Sequence, residues 1–137
     1  AKIEIKDYNG AIADYTKAIE LNPKHALAFN NRGHAKYNIQ DYNGAIVDLT
    51  KALELNPKHA DAYYNRGITK NDIKDYNGAI ADYTKAIELN PKFAEAYILR
   101  GLVKIELGDK KGACIDFHKS KDLGNIDADD SINEFCK

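Results

Sequence analysis

The stretch IKDYNGAIADYTKAIELNPK decides the fold of this chain, because it occurs twice without a change, at residues 5–24 and at residues 73–92. The two copies start 68 residues apart, and a third version, IQDYNGAIVDLTKALELNPK, lies halfway between them at residues 39–58. A looser fourth version, LGDKKGACIDFHKSKDLGN, begins at residue 107. The period is therefore 34 residues. A period between roughly 20 and 50 residues indicates one structural unit stacked along an axis.

Each unit reads as two helices joined by a short turn. In residues 26–59, apolar side chains first recur at spacings of three and four residues, which predicts a helix. Asp41 then supplies a short side chain that can cap a second helix, and Asn56-Pro57 ends that helix because proline lacks the amide donor. A short connection makes consecutive helices antiparallel. Helical hairpins of this size do not bury their apolar faces alone, so they are predicted to stack.

Residues at fixed places in each unit resemble the tetratricopeptide repeat. They are Phe29, Gly33, Ala45, Leu49, Ala52 and Pro57, then Tyr63, Gly67, Ala79, Tyr83, Ala86 and Pro91, then Tyr97, Gly101, Ala113, Phe117 and Ser120. The resemblance implies an all-α fold, a right-handed α-solenoid of stacked antiparallel helix hairpins with a C-terminal capping helix. We predict a truncated repeat at residues 1–25, repeats at 26–59 and 60–93, a divergent last repeat at 94–127 and a capping helix at 128–137.

Charged residues recur inside the apolar pattern with the same period. They are Arg32, Arg66 and Arg100, which stand where the family usually has an apolar residue, and Asp48, Asp82 and Asp116 in the second helices. An unpaired buried charge is strongly destabilising, so we predict a partly buried ladder of structural Arg–Asp ion pairs. The alternative is that the arginines face a groove and bind an acidic ligand.

A glycine also recurs inside the second helices, at Gly10, Gly44, Gly78 and Gly112. Glycine in a helix interior is less favourable than alanine by about 0.5–1 kcal/mol. Its recurrence therefore predicts near contact with a neighbouring backbone, with a bound group as the alternative.

The two ends of the pattern differ from its middle. Residues 1–5 stand where a whole first helix would belong, so we expect a piece of a longer array. Its truncated repeat is expected to associate either with another copy of the chain, which would be self-association, or with a borrowed helix. At the other end, Cys114 in the last hairpin and Cys136 in the capping helix have two interpretations. Either they form a disulfide that holds the cap, or they are two reduced, buried thiols.

Charge and histidine placement argue against several classes of function. The chain has 20 basic and 21 acidic residues, a balance that predicts no nucleic-acid or membrane partner. His25 and His59 lie one repeat apart, too far to share a metal ion. Cys114 and His118 lie four residues apart on one helix but have no third ligand. We therefore predict no catalytic residue, no metal site and no cofactor, and the sequence leaves the compartment open.

The resemblance implies a protein–protein interaction scaffold that binds a peptide or partner helix in a concave groove lined by the first helices. The residues carried over as ligand-binding are Asn30, Asn31, His34, Asp61, Tyr64, Asn65, Ile68, Asp72, Glu95, Ile98 and Leu102. Asn31 and Asn65 are expected to hydrogen-bond the ligand backbone. The family's clamp for a C-terminal carboxylate uses lysines and arginine, and those positions hold Leu27, Asn30, Asp61, Tyr64, Glu95 and Ile98 here.

Acidic residues along this groove favour a partner with basic and apolar side chains. Two other functions remain open at this point: an RNA-binding helical repeat that reads one base per unit, and a regulatory segment of a larger enzyme.

Overall fold

The described part of the chain is built of helices alone. The computed structural model describes the backbone of residues 5–137 and the side chains of residues 7–137. Within them the helices are α1 Ile5–Leu21, α2 Ala26–Asn38, α3 Tyr42–Leu55, α4 Ala60–Asp72, α5 Tyr76–Leu89, α6 Ala94–Glu106, α7 Lys110–Asp122 and α8 Ala128–Phe135. Each helix packs against the next, and α4 also packs against α2 and α6. The predicted all-α helical repeat solenoid is confirmed. The truncation predicted at residues 1–5 lies, apart from the backbone of Ile5, outside the described residues.

Two residues determine the turn inside each hairpin: one whose backbone adopts the left-handed conformation, and an aspartate that caps the next helix. Gln40 and Lys74 have φ of 66°, and Gly108 has φ of 84°. After Gln40, the amide of Asp41 donates back to the last turn of α2 at 2.9 Å. The Asp41 carboxylate then accepts a hydrogen bond from the amide of Gly44 at 3.0 Å. One residue thus ends the first helix and its neighbour begins the second, which keeps the turn short and the helices antiparallel.

The helices of a hairpin approach closely because a glycine faces a large side chain. A Cβ built on Gly33 would lie 2.8 Å from Cγ of Leu49, and one on Gly67 would lie 2.7 Å from the ring of Tyr83. Leu49 is 0% exposed and Tyr83 is 1% exposed. A larger residue at either glycine would therefore push the helix axes apart.

The recurring glycine of the second helices makes room for the cap. A Cβ on Gly44 would lie 2.7 Å from the carboxyl carbon of Asp41, and the same contact recurs at Gly78 and Gly112. At Gly10 a Cβ would meet nothing within 4 Å. The predicted contact with a neighbouring backbone is therefore wrong, because the crowding atoms belong to the side chain of the aspartate three residues earlier. The alternative of a bound group stays a prediction.

Arg–Asp ion pairs run along the stack and join its units. Arg32 Nε and Nη2 each lie 2.8 Å from a carboxylate oxygen of Asp48. Its Nη1 donates to Thr16 Oγ1 of the preceding unit at 3.1 Å, and Lys36 Nζ lies 3.0 Å from the same carboxylate. The arrangement repeats in Arg66, Asp82, Thr50 and Lys70 and in Arg100, Asp116, Thr84 and Lys104. Each guanidinium thus donates its hydrogen bonds to an aspartate and a threonine of the stack itself.

A disulfide fastens the last helix to the last hairpin. Cys114 in α7 is bonded to Cys136, which follows α8. The rings of Phe117 and Phe135 stack beside this bond with a centroid distance of 6.0 Å. The short α8 therefore packs on α7 and covers one side of the last described hairpin.

Candidate functional site

A cavity of about 300 Å³ opens between α2, α4 and the start of α6. Six of the residues predicted to line the groove surround it: Asn30, Asn31, His34, Asp61, Tyr64 and Asn65. Phe93, the residue before α6, completes the lining. Sequence reasoning missed Phe93, although it stands where the earlier units carry His25 and His59. An aromatic residue at a position that is otherwise histidine was the available signal.

Asparagine side chains connect α2 to α4 at this cavity. Asn65 Nδ2 donates to Asn30 Oδ1 at 3.1 Å, and Asn30 Nδ2 donates to Asn31 Oδ1 at 3.4 Å. Asn30 is only 5% exposed, so both ends of its amide serve this network. Asn31 and Asn65 are half-buried and present the remaining amide atoms at the cavity wall.

Aromatic rings and the carboxylate of Asp61 lie on the α4 side of the cavity, and Glu95 of α6 lies nearby. The ring centroids of Tyr64 and Phe93 lie 4.6 Å apart. Asp61 lines the same cavity one turn before Tyr64. Burial raises the pKa of Tyr64, and the nearby charges of Glu95 and Asp61 raise it further. An aromatic surface edged by two carboxylates is chemically suited to a cationic side chain.

His34 lies on the α2 side of the cavity. Partial removal from water lowers the pKa of His34 from its ordinary value of 6.5. The lowered pKa favours the neutral imidazole at pH 7, in which one ring nitrogen donates a hydrogen bond and the other accepts one. His34 thus adds hydrogen-bonding capacity without adding a positive charge beside Asp61.

Asp72 is engaged within the protein. Tyr37 Oη donates to Asp72 Oδ2 at 2.5 Å, which ties the last turn of α2 to the last turn of α4. Burial raises the pKa of Tyr37, and the hydrogen bond to Asp72 raises it further. The carboxylate predicted to meet a ligand therefore holds two units together, and sequence reasoning missed its partner Tyr37.

The other predicted groove residues lie outside this cavity. Ile68 packs against the buried cluster around Tyr83, so its side chain belongs to the core. Glu95 is exposed, Ile98 is half-buried and Leu102 is 36% exposed. These three continue the surface along α6 beyond the cavity.

Neither a metal site nor a membrane span is found in the described residues. Among residues 7–137, no three His, Cys, Asp or Glu side chains come together in a way that could hold a metal ion. No helix in the described part of the chain combines the length and apolar character needed to cross a bilayer.

The sequence matches profiles of one known family. The profile described as "Tetratricopeptide repeat" matches residues 60–93, and one described as "TPR repeat" matches residues 1–40 and 33–70. The chain belongs to the tetratricopeptide repeat family. Tetratricopeptide repeats typically mediate protein–protein interactions and are generally non-enzymatic scaffolds. No curated protein sequence matches the chain significantly.

Solved tetratricopeptide repeat structures resemble this one over most of its length. The crystal structure of MamA matches with a TM-score of 0.82 and 30% identity, covering 87% of this chain and 70% of that one. Across three MamA structures, the chain spans between 64% and 70% of the other chain. The TPR domain of Arabidopsis OM64 matches with a TM-score of 0.78 and 28% identity, covering 80% of this chain and 93% of that one.

A third structure, the first TPR of Spaghetti (RPAP3) bound to the HSP90 peptide SRMEEVD, matches with a TM-score of 0.78. It is 24% identical and covers 81% of this chain and 90% of that one. At 24% identity, this similarity supports a shared fold and carries no information about the ligand.

Proposed function

We propose that this chain is a protein-interaction module that binds a peptide segment or partner helix in the groove of α2, α4 and α6. The observation that carries the proposal is the cavity in which the paired rings of Tyr64 and Phe93 meet the carboxylate of Asp61. This surface is built for binding, since its polar groups are amides, carboxylates and a neutral imidazole with no activated nucleophile among them.

The groove chemistry selects a basic and apolar partner. A lysine or arginine over the face of an aromatic ring gains about 0.5–2 kcal/mol, and more of this range is realised as water is excluded. Asp61 and Glu95 add attraction for the same cation. The free amide atoms of Asn31 and Asn65 can hold the backbone of the bound segment beside it.

The same charges argue against an acidic ligand. The peptide bound by RPAP3 contains two glutamates and an aspartate. In this chain, the groove presents Asp61 and Glu95, and the clamp positions carry no lysine or arginine. Like charges across an interface weaken binding. RNA is disfavoured for the same reason, because its phosphates require a basic surface.

A series of labelled peptides of equal length tests the proposal, with lysine, glutamine or glutamate at one central position among apolar residues. We expect saturable binding of the lysine peptide, weaker binding of the glutamine peptide and none of the glutamate peptide. Asp61→Asn and Tyr64→Ala should each weaken binding of the lysine peptide by roughly tenfold.

Val47→Ala is the matched control. Val47 is 67% exposed on α3, and the equivalent positions already hold Ala13 and Ala81. This variant should bind like the parent. Preference for the glutamate peptide, or lysine-peptide binding that survives both groove substitutions, would show that the groove hypothesis is wrong.

A further inference from the structure

The disulfide between Cys114 and Cys136 can be reached from solvent along one face of α7. Both cysteines are half-buried. Cys114 lines an open cavity of about 530 Å³ on α7, and the lining contains no residue of α8. A small molecule that enters the cavity therefore approaches Cys114 rather than Cys136.

The same face is exposed on the earlier second helices, so its exposure is a property of the repeat. Val47 of α3 is 67% exposed, and Ile115, which holds the equivalent position in α7, is 65% exposed. Lys51 and Lys85, the equivalents of Lys119, are exposed as well. Both α3 and α5 are followed by further helices of the stack. This face therefore stays open inside an array.

Three residues that line the cavity on α7 differ from their equivalents in every earlier second helix. Cys114 replaces an isoleucine, Lys111 replaces an asparagine and His118 replaces a threonine. Lys119 also lines the cavity and is a lysine in every unit, and Asp122 stands where every earlier unit has glutamate. The replacements specific to α7 therefore add a positive charge and an imidazole around the cysteine.

We propose that Cys114 is the site at which a small thiol that carries carboxylates, of the glutathione class, exchanges with this disulfide. The incoming thiolate attacks Sγ of Cys114, the bond to Cys136 breaks, and Cys136 leaves as a thiolate. One disulfide is lost and one mixed disulfide is formed, so the step needs no other oxidant or reductant. Lys111 and Lys119 attract the carboxylates, and His118 offers an N–H donor for one of them.

The exchange changes how α8 is held. It removes the covalent link between α7 and α8 and leaves their contact to packing, such as that of Phe117 on Phe135. The site lies on α7, whereas the proposed peptide groove is formed by α2, α4 and the start of α6. The proposal is therefore independent of the groove.

The test compares glutathione with cysteamine, a thiol that carries an amine instead of carboxylates, on the oxidised full chain. The reaction is stopped at early times with N-ethylmaleimide, which blocks free thiols, and tryptic peptides are analysed by mass spectrometry. We expect the first glutathione adduct on the peptide of residues 112–119, which contains Cys114. Adducts that form first on residues 122–137, which contain Cys136, would overturn the proposal.

Charge variants test the role of the cavity. Lys111→Gln and Lys119→Gln should each slow the reaction with glutathione by roughly threefold, the effect of one exposed charge pair. Neither should slow the reaction with cysteamine. Asp122→Asn should instead speed the reaction with glutathione, because it removes a negative charge from the same cavity. Lys85→Gln is the matched control, since it makes the same change at the equivalent position of α5 and should leave both rates as in the parent.

A variant with a single cysteine keeps the test informative if adducts move between the two sulfur atoms. In Cys136→Ala, oxidised glutathione transfers one half to Cys114 and releases the other half as a thiolate. Adding Lys111→Gln should slow this transfer by the same factor. The difference should vanish in about 1 M sodium chloride, where the Debye length falls to about 3 Å. Rates that ignore both lysines, or that change equally for glutathione and cysteamine, would leave the disulfide a structural link only.

Discussion

At the scale of single residues, Asp82 explains why the stack tolerates charge in its interior. Its carboxylate is 3% exposed and accepts two hydrogen bonds from Arg66, at 2.8 and 2.9 Å. These bonds raise the pKa of Arg66. The guanidinium also lies over the ring of Tyr63, 5.6 Å from its centroid. The buried carboxylate is therefore fully paired and hydrogen-bonded, which a buried charge requires.

Replacing Arg66 by leucine should lower the free energy of unfolding by about 3 kcal/mol, because removal of one partner leaves the buried carboxylate of Asp82 uncompensated. Lys70, at 3.2 Å from that carboxylate, limits the loss. Urea denaturation followed by circular dichroism measures it.

The double variant Arg66→Leu/Asp82→Leu is the control for this experiment. It should recover most of the lost stability, since apolar residues can replace a buried ion pair with little net effect. If the double variant is as unstable as the single one, packing of the arginine on Tyr63 matters more than its charge.

Gly44→Ala should fail to stabilise α3. Alanine is favoured over glycine in a helix by about 0.5–1 kcal/mol, but the added methyl group would displace the capping carboxylate of Asp41, which is worth about 1 kcal/mol. Gly10→Ala, whose Cβ meets nothing within 4 Å, should give the full gain. Thermal unfolding compares the two.

A second pair of variants tests whether Gly44 is required because it leaves room for the capping carboxylate of Asp41. When Asp41 is already alanine, Gly44→Ala should become stabilising. Equal effects of Gly44→Ala with and without Asp41 would refute the role assigned to the glycine.

Sequence reasoning reached some of these residues and missed others for physical reasons. Arg66 and Asp82 recur with the 34-residue period, so their pairing was open to prediction. The role of Gly44 depends on where the rotamer of Asp41 places its oxygens, and periodicity carries no such information. The hydrogen bond between Tyr37 and Asp72 joins residues of neighbouring units. The same pair of residue types does not recur one period later, so the repeat pattern could not predict this bond.

At the scale of elements, α8 is the helix that depends most on a covalent link. It has eight residues, and a helix that short is marginal without tertiary contacts. Reduction of the Cys114–Cys136 bond, or Cys136→Ala, should lower stability by about 3 kcal/mol for a separation of 22 residues in the chain-entropy model.

The loss should be local, which hydrogen exchange can resolve. Amides of α8 should lose protection on reduction, while those of α4 and α5 keep theirs. Loss of protection spread evenly over all helices would contradict this, and would indicate that the array unfolds as one cooperative unit.

At the scale of the whole molecule, α1 and α5 form a natural matched pair for measuring the effect of stacking. Their identical sequences give identical intrinsic exchange rates. No described side chain of α1 is buried, whereas α5 buries Ala79, Asp82, Tyr83, Ala86 and Ile87. We expect the amides of α1 to exchange much faster in this chain, because a helix with few buried contacts opens locally at a low free-energy cost. Equal protection factors would contradict this.

The overall architecture was the most predictable level, and the cavity was less so. Helix period, turn residues and the 34-residue repeat all indicate stacked hairpins, so the solenoid follows from local rules. The cavity depends on which first-helix side chains are committed to neighbours. Asn30 bonds to Asn65 of the next unit, Ile68 packs into the core, and the ring of Phe93 packs on Tyr64 at the cavity wall, and all three arrangements are consequences of packing between units.

The exact duplication within the chain also poses a problem of partner choice during folding. In the unfolded chain, α4 meets two identical candidates, α1 and α5. Pairing with α5 closes a loop of 3 residues and pairing with α1 closes one of 38, a difference in closure entropy of about 2 kcal/mol. The adjacent hairpin therefore forms first and removes α4 from competition. Mispairing is then left to encounters between molecules, so refolding yield should fall with protein concentration while the order of hairpin formation stays the same.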